Sequence, residues 1–550
     1  MQPAPAVEPE QGATPAPIER LPTAVTAFVG RALKGPLNTP TPVNSFAEFQ
    51  RHFGGLWQPA TLGYAIEQFF EHGGRQALVV RVVNGARAPS LRLPAGRGHL
   101  LLRGRQPGTR EYLRASVDYD GIGPDAPDQF NLVLQRLQQP GSELVEAQEI
   151  MRRVSIDPKS DRSIERFMSR SRLARLGGPL PPERPSRTLP ARAGVVVGYI
   201  AAANDGADGA DLTDYDVIGD ATRGTGLFAL RGGPRFSLLC VPPLSRKLDI
   251  GMTTLHVATQ LCRAQQALLI VDPPASWDSV AAALAGATHW AFQSEQALLY
   301  FPRLLAPDRL RGRNELFAGC GAAAGLIARG DETSPPWVAA AGETPVLRPP
   351  YRPQLVLDEV QRSRLAQVGV NCFDHVRPAA GAVRSARTLL SENAARGEWC
   401  FLPARRLALW LQACVLEGTR WTRLTTGGPE QWHNVCEQVG NFLEGLAHAG
   451  AFAGRDSSER YFVICDERLN TAESIEQGRC SLLFGFAAWR GGEFQSCLVT
   501  HDRNGSSVRA VTINRLATSG AKVSEEIETA ILRQITIEPH AGYSAASHGP

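Results

Sequence analysis

The chain has 550 residues, long enough for two or more hydrophobic cores, and its 43% apolar and 20% charged side chains describe a globular protein rather than a disordered or fibrous one. Its 58 basic and 54 acidic groups leave a net charge of +4, too even a balance to argue for nucleic acid or an anionic membrane as the main partner. All ten cysteines lie from Cys240 onward and the closest two are Cys400 and Cys414, so there is no CxxC zinc pair, and reduced thiols buried as small hydrophobes are expected.

The opening "MQPAPAVEPEQGATPAPIERLP" holds six prolines and no apolar core of a secretory leader, which predicts an extended arm over residues 1–22. No apolar run approaches the roughly 18 residues that span a bilayer. A β-rich apolar run follows over Thr23–Gly30, then a turn at Lys34–Pro36. Ser45 and Glu48 form a capping-box pattern that opens a short helix to Phe53, closed by Gly54 and Gly55. Leu62, Ile66, Phe69 and Phe70 share one face of a second helix ended by Gly73–Gly74, and Ala77–Val83 is a continuous apolar run of the kind buried on both faces of a sheet. These elements make up a segment over 23–88.

Residues 89–193 are richer in arginine, glycine and proline, with short alternating strands such as Asn131–Gln135, and predict a partly β insert domain. Over 194–391 apolar strands alternate with helices: Phe236–Val241, a helix around Thr253–Ala264, Ala267–Asp272, a helix after Ser276, and Ala297–Phe301. That alternation predicts a parallel α/β sheet. Over 392–500 a helix at Arg405–Glu417 aligns Leu407, Trp410, Leu411 and Cys414. A second aligns Trp432, Cys436, Val439, Leu443 and Leu446. Strands at Tyr461–Cys465, Ser481–Phe486 and Phe494–Val499 complete an α+β unit. The extension 501–550 predicts a strand at Ser507–Asn514, a helix at Val523–Leu532 and a strand at Gln534–Glu538.

Gly319, Gly321 and Gly325 in "FAGCGAAAGLIARG" approach the glycine fingerprint of a dinucleotide site, which requires a hydrophobic strand directly before the first glycine. The preceding Pro307–Phe317 reads as a polar loop, so no pyrophosphate site is predicted; Gly321, Ala324, Gly325 and Ala328 instead offer a small-residue face for close helix packing. No GxxxxGK[ST] loop occurs. Asp272, His256 and His289 lack a G-x-S-x-G nucleophile elbow, and Asp272-Pro273-Pro274 reads as a turn at a strand end. Asn371–His375 matches no metal-ligand spacing. The loop "NDGADGADLTDYD", with Asp211 and Asp214, lacks the EF-hand pattern and reads as solvated. No catalytic residue, cofactor or metal is assigned.

Several segments in one order carry a resemblance: "PIERLPTAVTAFVGRALKGPLNTPTPVNSFAEFQRHFGG", "YAIEQFFEHGGRQALVVRVV", "ALLIVDPP", "ALLYFPRLLAPD", "FAGCGAAAGLIARGDETSPPWVAAAG", "RRLALWLQACVLEGTRW" and "YFVICDERLNTAESIEQGRCSLLFGFAAWRGGEFQSCLV". Over Pro17–Thr500 the chain resembles the tail sheath proteins of contractile bacteriophage tails, pyocin-like particles and contractile injection systems. The resemblance implies a multidomain α/β and α+β fold: a subtilisin-like α/β domain without protease residues, a C-terminal α+β domain, extended terminal arms and the insert. It implies no enzyme and no nucleotide, but a self-assembling subunit that stacks as hexameric rings around an inner tube protein, between baseplate and terminator or cap proteins, without nucleic acid or membrane insertion. Assembly would take place in a bacterial cytoplasm, and contraction from a metastable state would drive the tube through an envelope.

Neighbouring subunits would exchange strands. The implied residues are Val7 and Ile18 in the arm, Tyr461, Val463, Leu482 and Phe484 in receiving strands, and Phe494 and Leu498 near the C-terminal donor. Arg420 and Arg423, or the Trp432–His448 helix, would face the tube. This arm reads "APAVEPEQGATPAP", and proline removes ladder donors, so Ser507–Asn514 or Gln534–Glu538 are candidates to replace it. Alternatives are an α/β hydrolase-like enzyme, a static shell protein, and a specialised baseplate-proximal sheath paralogue.

Overall fold

The structure, a computed structural model, describes residues 15–188, 198–337, 346–373, 386–391, 397–424 and 427–511. They form two compact units, one over Ala24–Gly330 and Glu343–Ala379, the other over the N-terminal arm to Thr23, Asp331–Gly342 and the chain from Ala380.

The first unit opens with Thr26–Gly30 (β1) and Thr41–Val43 (β2), then helices Phe46–Phe53 (α1) and Leu62–Glu71 (α2), and Ala77–Arg81 (β3). Ser45 caps α1 by accepting from Glu48 N, and Gly54 closes it at φ 91°. The Glu48 carboxylate reaches Asn44 N, one residue before the cap. Ser90–Ala95 (β4), Gly98–Gly104 (β5), Tyr112–Asp118 (β6), Gln129–Leu137 (β7), Val145–Ser155 (β8), helix Ile164–Arg170 (α3), Ala174–Leu176 (β9) and Ile200–Ala201 (β10) build the insert. It consists of a four-stranded sheet, β10-β6-β7-β8, and a three-stranded sheet, β4-β5-β9, around a core that includes Leu93, Leu102, Phe130, Leu132 and Ile164. Its last strand, β10, lies beyond residue 193, and pairs antiparallel with β6.

Helix Asp214–Ile218 (α4) leads to Leu238–Cys240 (β11), Met252–Gln265 (α5), Leu268–Val271 (β12), Val280–His289 (α6) and Ala297–Phe301 (β13). A hairpin, Leu304–Asp308 (β14) and Arg313–Phe317 (β15), precedes helix Cys320–Asp331 (α7). Arg352–Pro353 (β16), Glu359–Gln367 (α8) and Asn371–Cys372 (β17) follow. The main sheet has the order β17-β13-β12-β11-β1-β3-β2, parallel throughout except for β2. β1, β3, β11 and β12 are buried along their whole length, as the unbroken apolar runs predicted for strands covered on both faces.

The second unit contains Leu402–Gly418 (α9), Pro429–His448 (α10), Ser457–Arg460 (α11), Tyr461–Ile464 (β18), Ala472–Glu476 (α12), Cys480–Phe486 (β19), Gln495–His501 (β20) and Ser506–Val511 (β21). The strands form an antiparallel sheet in sequence order. Its core joins Leu411, Val415, Val435, Val439 and Leu443 of the two long helices to Leu482, Phe484, Phe486 and Val499. Ile18 belongs to this core. The arm is held there by Trp410 Nε1 donating to Leu21 O at 2.8 Å, and Asp331 accepts from Thr23 Oγ1 at 2.6 Å and pairs with Arg406. The strand predicted at Ser507–Asn514 is seen as β21; residues 512–550, with the predicted helix and second strand, lie outside the described residues, as does Val7. No described helix is long and apolar enough to cross a membrane.

Candidate functional site

The carboxyl ends of β11, β12 and β13 form the crevice where an open α/β sheet would hold a ligand. Asp272, just past β12, accepts from Gly319 N and Cys320 N, both at 2.8 Å. Its carboxylate thus occupies the positive N-terminus of α7, where a phosphate would otherwise sit. Burial pushes the Asp272 carboxyl above its ordinary range, against the lowering effect of Cys320, Arg303 and Gly319. Arg303 donates to Asp249 at 2.5 Å and to Pro273 O at 3.1 Å. Arg246 pairs with the fully buried Asp308 at 2.5 Å and stacks over Tyr64 at 4.6 Å, and Tyr64 donates to Asp308 at 3.2 Å. What remains among Tyr64, Gln68, Arg246, Arg303 and Phe317 is a cavity of about 30 Å³, room for about one water molecule.

Arg313–Phe317, expected as part of a polar loop, is a strand, paired antiparallel with Leu304–Asp308 residue for residue. The hairpin is antiparallel and sits in a separate three-stranded sheet, so it does not present α7 as a dinucleotide-binding turn would. The glycines do set a close helix crossing. A Cβ on Gly321 would lie 1.9 Å from Ala65 O of α2, and one on Gly325 would lie 2.5 Å from Phe69 O.

The other sequence candidates are separated. His256 packs edge-on against Phe292, and His289 is exposed in the last turn of α6. The aspartate-rich loop is less solvated than expected. Asp205 bonds Ser90, Asp208 bonds Thr109, Asp211 pairs with Arg31, and Asp214 bonds Gly251 N and Thr254. These carboxylates fasten the loop to its surroundings rather than converging on an ion. Among the described residues no group of three or more His, Cys, Asp or Glu side chains is placed to hold a metal. Asp374 and His375 lie outside those residues.

The terminal sheet offers a different kind of site. β19 and β20 each have a partner on both sides, whereas β18 and β21 each pair on one side only among the described residues. Tyr461 and Val463 are half-buried on β18, and Leu482 and Phe484 are buried at the centre of β19. Leu498 is buried on β20 against Ile464 and Leu483, on the sheet face turned away from the helices. Phe494, just before β20, packs edge-on against Phe462 at 5.1 Å. Among the described strand-exchange candidates, Ile18 is the one in the chain's own core without being on a strand.

Arg420 is exposed, with Glu417 at 3.5 Å. Arg423 donates to Asp502 O at 2.9 Å and Arg503 O at 3.1 Å, and so fastens the β20–β21 turn. The exposed stripe of α10 carries Glu430, His433, Glu437 and His448, and the helix has no lysine or arginine. His501 is buried between Thr419 Oγ1 at 2.8 Å and Ser506 Oγ at 2.7 Å, and burial pushes its pKa down to about 4. Nothing in the sequence pattern had singled out His501; its place at the end of an apolar strand was the available signal.

No protein-family model and no curated protein matches the sequence. Solved structures do. The sheath tail protein Lin1278 from Listeria innocua superposes with a TM-score of 0.56 at 11% identity, over 91% of this chain and 97% of that one. The PVC sheath complex of an extracellular contractile injection system, in its contracted state, superposes with a TM-score of 0.51 at 15% identity, over 90% and 96%. The chain has the sheath fold. The likeness runs nearly end to end in both directions, so the sheath fold takes in both units rather than one widespread α/β domain.

Proposed function

We propose that this chain is the structural subunit of a contractile sheath. It polymerises as stacked hexameric rings around an inner tube, between a baseplate and a terminator or cap, and contracts from a metastable extended state to drive the tube through a cell envelope. The observation that carries the reading is the end-to-end sheath fold. The crevice of the α/β unit supports it: an interlocked set of ion pairs and a carboxylate-capped helix leave no room for a substrate. On this reading residues 194–391 are the counterpart of the subtilisin-like sheath domain, used as scaffold and not as an enzyme. The particle is assembled in a bacterial cytoplasm.

Subunits stay joined while they rotate because extended arms pair with sheet edges. Each backbone hydrogen bond is directional while the intervening chain absorbs the rotation. The single-sided edge of β18, with Tyr461 and Val463, and that of β21 are the receiving places; Leu482 and Phe484 on β19 and Leu498 on β20 lie on strands already paired on both sides, with Phe494 just before β20, so they carry the sheet rather than receive or donate a strand. The donated part of the arm lies before Pro15, Val7 included, because Ile18 anchors it in its own unit. Arg420, rather than Arg423, is the cation open to a tube.

The test is assembly. Purified protein examined by negative-stain microscopy should form tubes or striated polysheaths that sediment far faster than a monomer. A uniform population of single molecules at every concentration would refute the reading.

A further inference from the structure

Two surfaces of the chain are electrostatically incomplete in opposite senses. The three-stranded sheet of the insert buries Leu91, Leu93, Leu100 and Leu102 on one face. On the other, the strand register aligns three arginines. Arg92 of β4 stands opposite Leu101 of β5, Arg103 lies two residues further along β5, and Arg175 of β9 stands directly opposite Arg103. Like charges directly opposite on neighbouring strands repel. Among the described residues none of the three has a carboxylate within ion-pair reach. Asp205, whose field reaches Arg103, uses both oxygens on Ser90. Arg92 and Arg175 are exposed and Arg103 is half-buried.

The second surface is a groove of about 430 Å³ between the arm and α10, lined by Pro15, Pro17, Asn434, Glu437, Asn441 and Phe442 among others. Glu437 is the one charged residue of its lining, is exposed, and has no cation within ion-pair reach among the described residues. A carboxylate beside side-chain amides and an aromatic ring is the environment that recognises a guanidinium, through a charge-assisted hydrogen bond and a cation–π contact.

We propose that the groove beside α10 is a docking site for arginine, and that its occupant is the Arg103–Arg175 pair on the insert sheet of a second copy. The inference rests on the sheath reading for its expectation that copies meet. The pairing is head-to-tail, with a different patch on each partner, so it is not the self-complementary contact of a two-fold dimer and leaves each copy free to engage a further one. The occupied groove relieves the repulsion between the two arginines and neutralises a carboxylate that has no cation partner among the described residues.

The experiment uses the full chain in two variants, Arg103→Glu with Arg175→Glu, and Glu437→Arg. Both are checked for wild-type circular dichroism, and self-association is followed by sedimentation and negative-stain microscopy at low and high salt. Each variant alone should associate at least about ten-fold more weakly than wild type, because each presents like charge to like. Mixed one to one they should recover association, since the acidic sheet of the first meets the basic groove of the second. Wild-type tubes that neither variant alters would overturn the inference and leave the sheath reading standing. Failure of the mixture to recover would also overturn it. Recovered, salt-sensitive association without tubes in any sample would keep the inference and reject the sheath reading.

Discussion

Single residues in this molecule are constrained more by backbone proximity than by chemistry. Gly321 is the clearest case: a methyl group there would stand 1.9 Å from Ala65 O, a main-chain atom that cannot rotate away. Gly321→Ala should therefore destabilise the α/β unit by about 1–3 kcal/mol through overpacking. Gly330→Ala, in the same helix but with nothing within 4 Å, should be neutral or stabilise by up to about 1 kcal/mol. Urea unfolding of the two variants checks the contrast, and equal effects would deny the close crossing.

His501 gives a prediction in pH. Its pKa falls from 6.5 to about 4 on folding because burial opposes the charged ring. The stability this represents is present above pH 6.5 and is lost as pH falls toward 4, about 3 kcal/mol in all. His501→Asn should flatten the wild-type loss of stability over that window, read as melting temperature against pH. The α/β unit is a poorer place to look. There burial lowers His72 to about 4 but raises Glu67 to about 7, and the two pH dependences oppose each other.

At the scale of elements, the arm and the last strand decide how the second unit is built. Ile18 fills a space opposite Gly418, where a Cβ would lie 2.7 Å from Ile18 Cγ1. Ile18→Ala should cost about 2–5 kcal/mol, measurable by denaturant unfolding with no ligand present. Truncation after Val511 keeps β21 and the Arg423 staple and should leave the fold intact. Truncation after Thr500 removes both, along with His501, and should impair assembly; normal tubes from the shorter protein would show β21 to be dispensable.

The main sheet was legible in the sequence because its strands are buried on both sides, and such runs as Ala77–Arg81 and Leu268–Val271 admit no polar residue at all except the fully buried Arg81. The helix caps were legible because Ser45 and Gly54 act locally. Arg313–Phe317 was not. Its first three residues, Arg313, Asn314 and Glu315, are consecutive polar side chains, and a polar run without alternation looks like loop. The placement of Ile18 was hidden for a different reason, since an irregular segment docking nearly 400 residues away carries no periodicity. The carboxylate on α7 and the groove beside α10 both depend on such long-range placement, so neither shows in any window of sequence.

For the whole molecule, the sheath fold is what the likeness to solved structures establishes, and on the reading proposed above work is done between copies rather than within one. On that reading the stored energy of contraction resides in contacts between copies that change. The most direct measurement is a cryo-EM reconstruction of the assembled protein, at a resolution that traces individual strands of the terminal sheet. The account predicts at least one additional strand, supplied by a neighbouring subunit, hydrogen-bonded along the outer edge of β18 or β21. An assembly in which that sheet holds four strands from one chain, with both outer edges facing solvent, would contradict it.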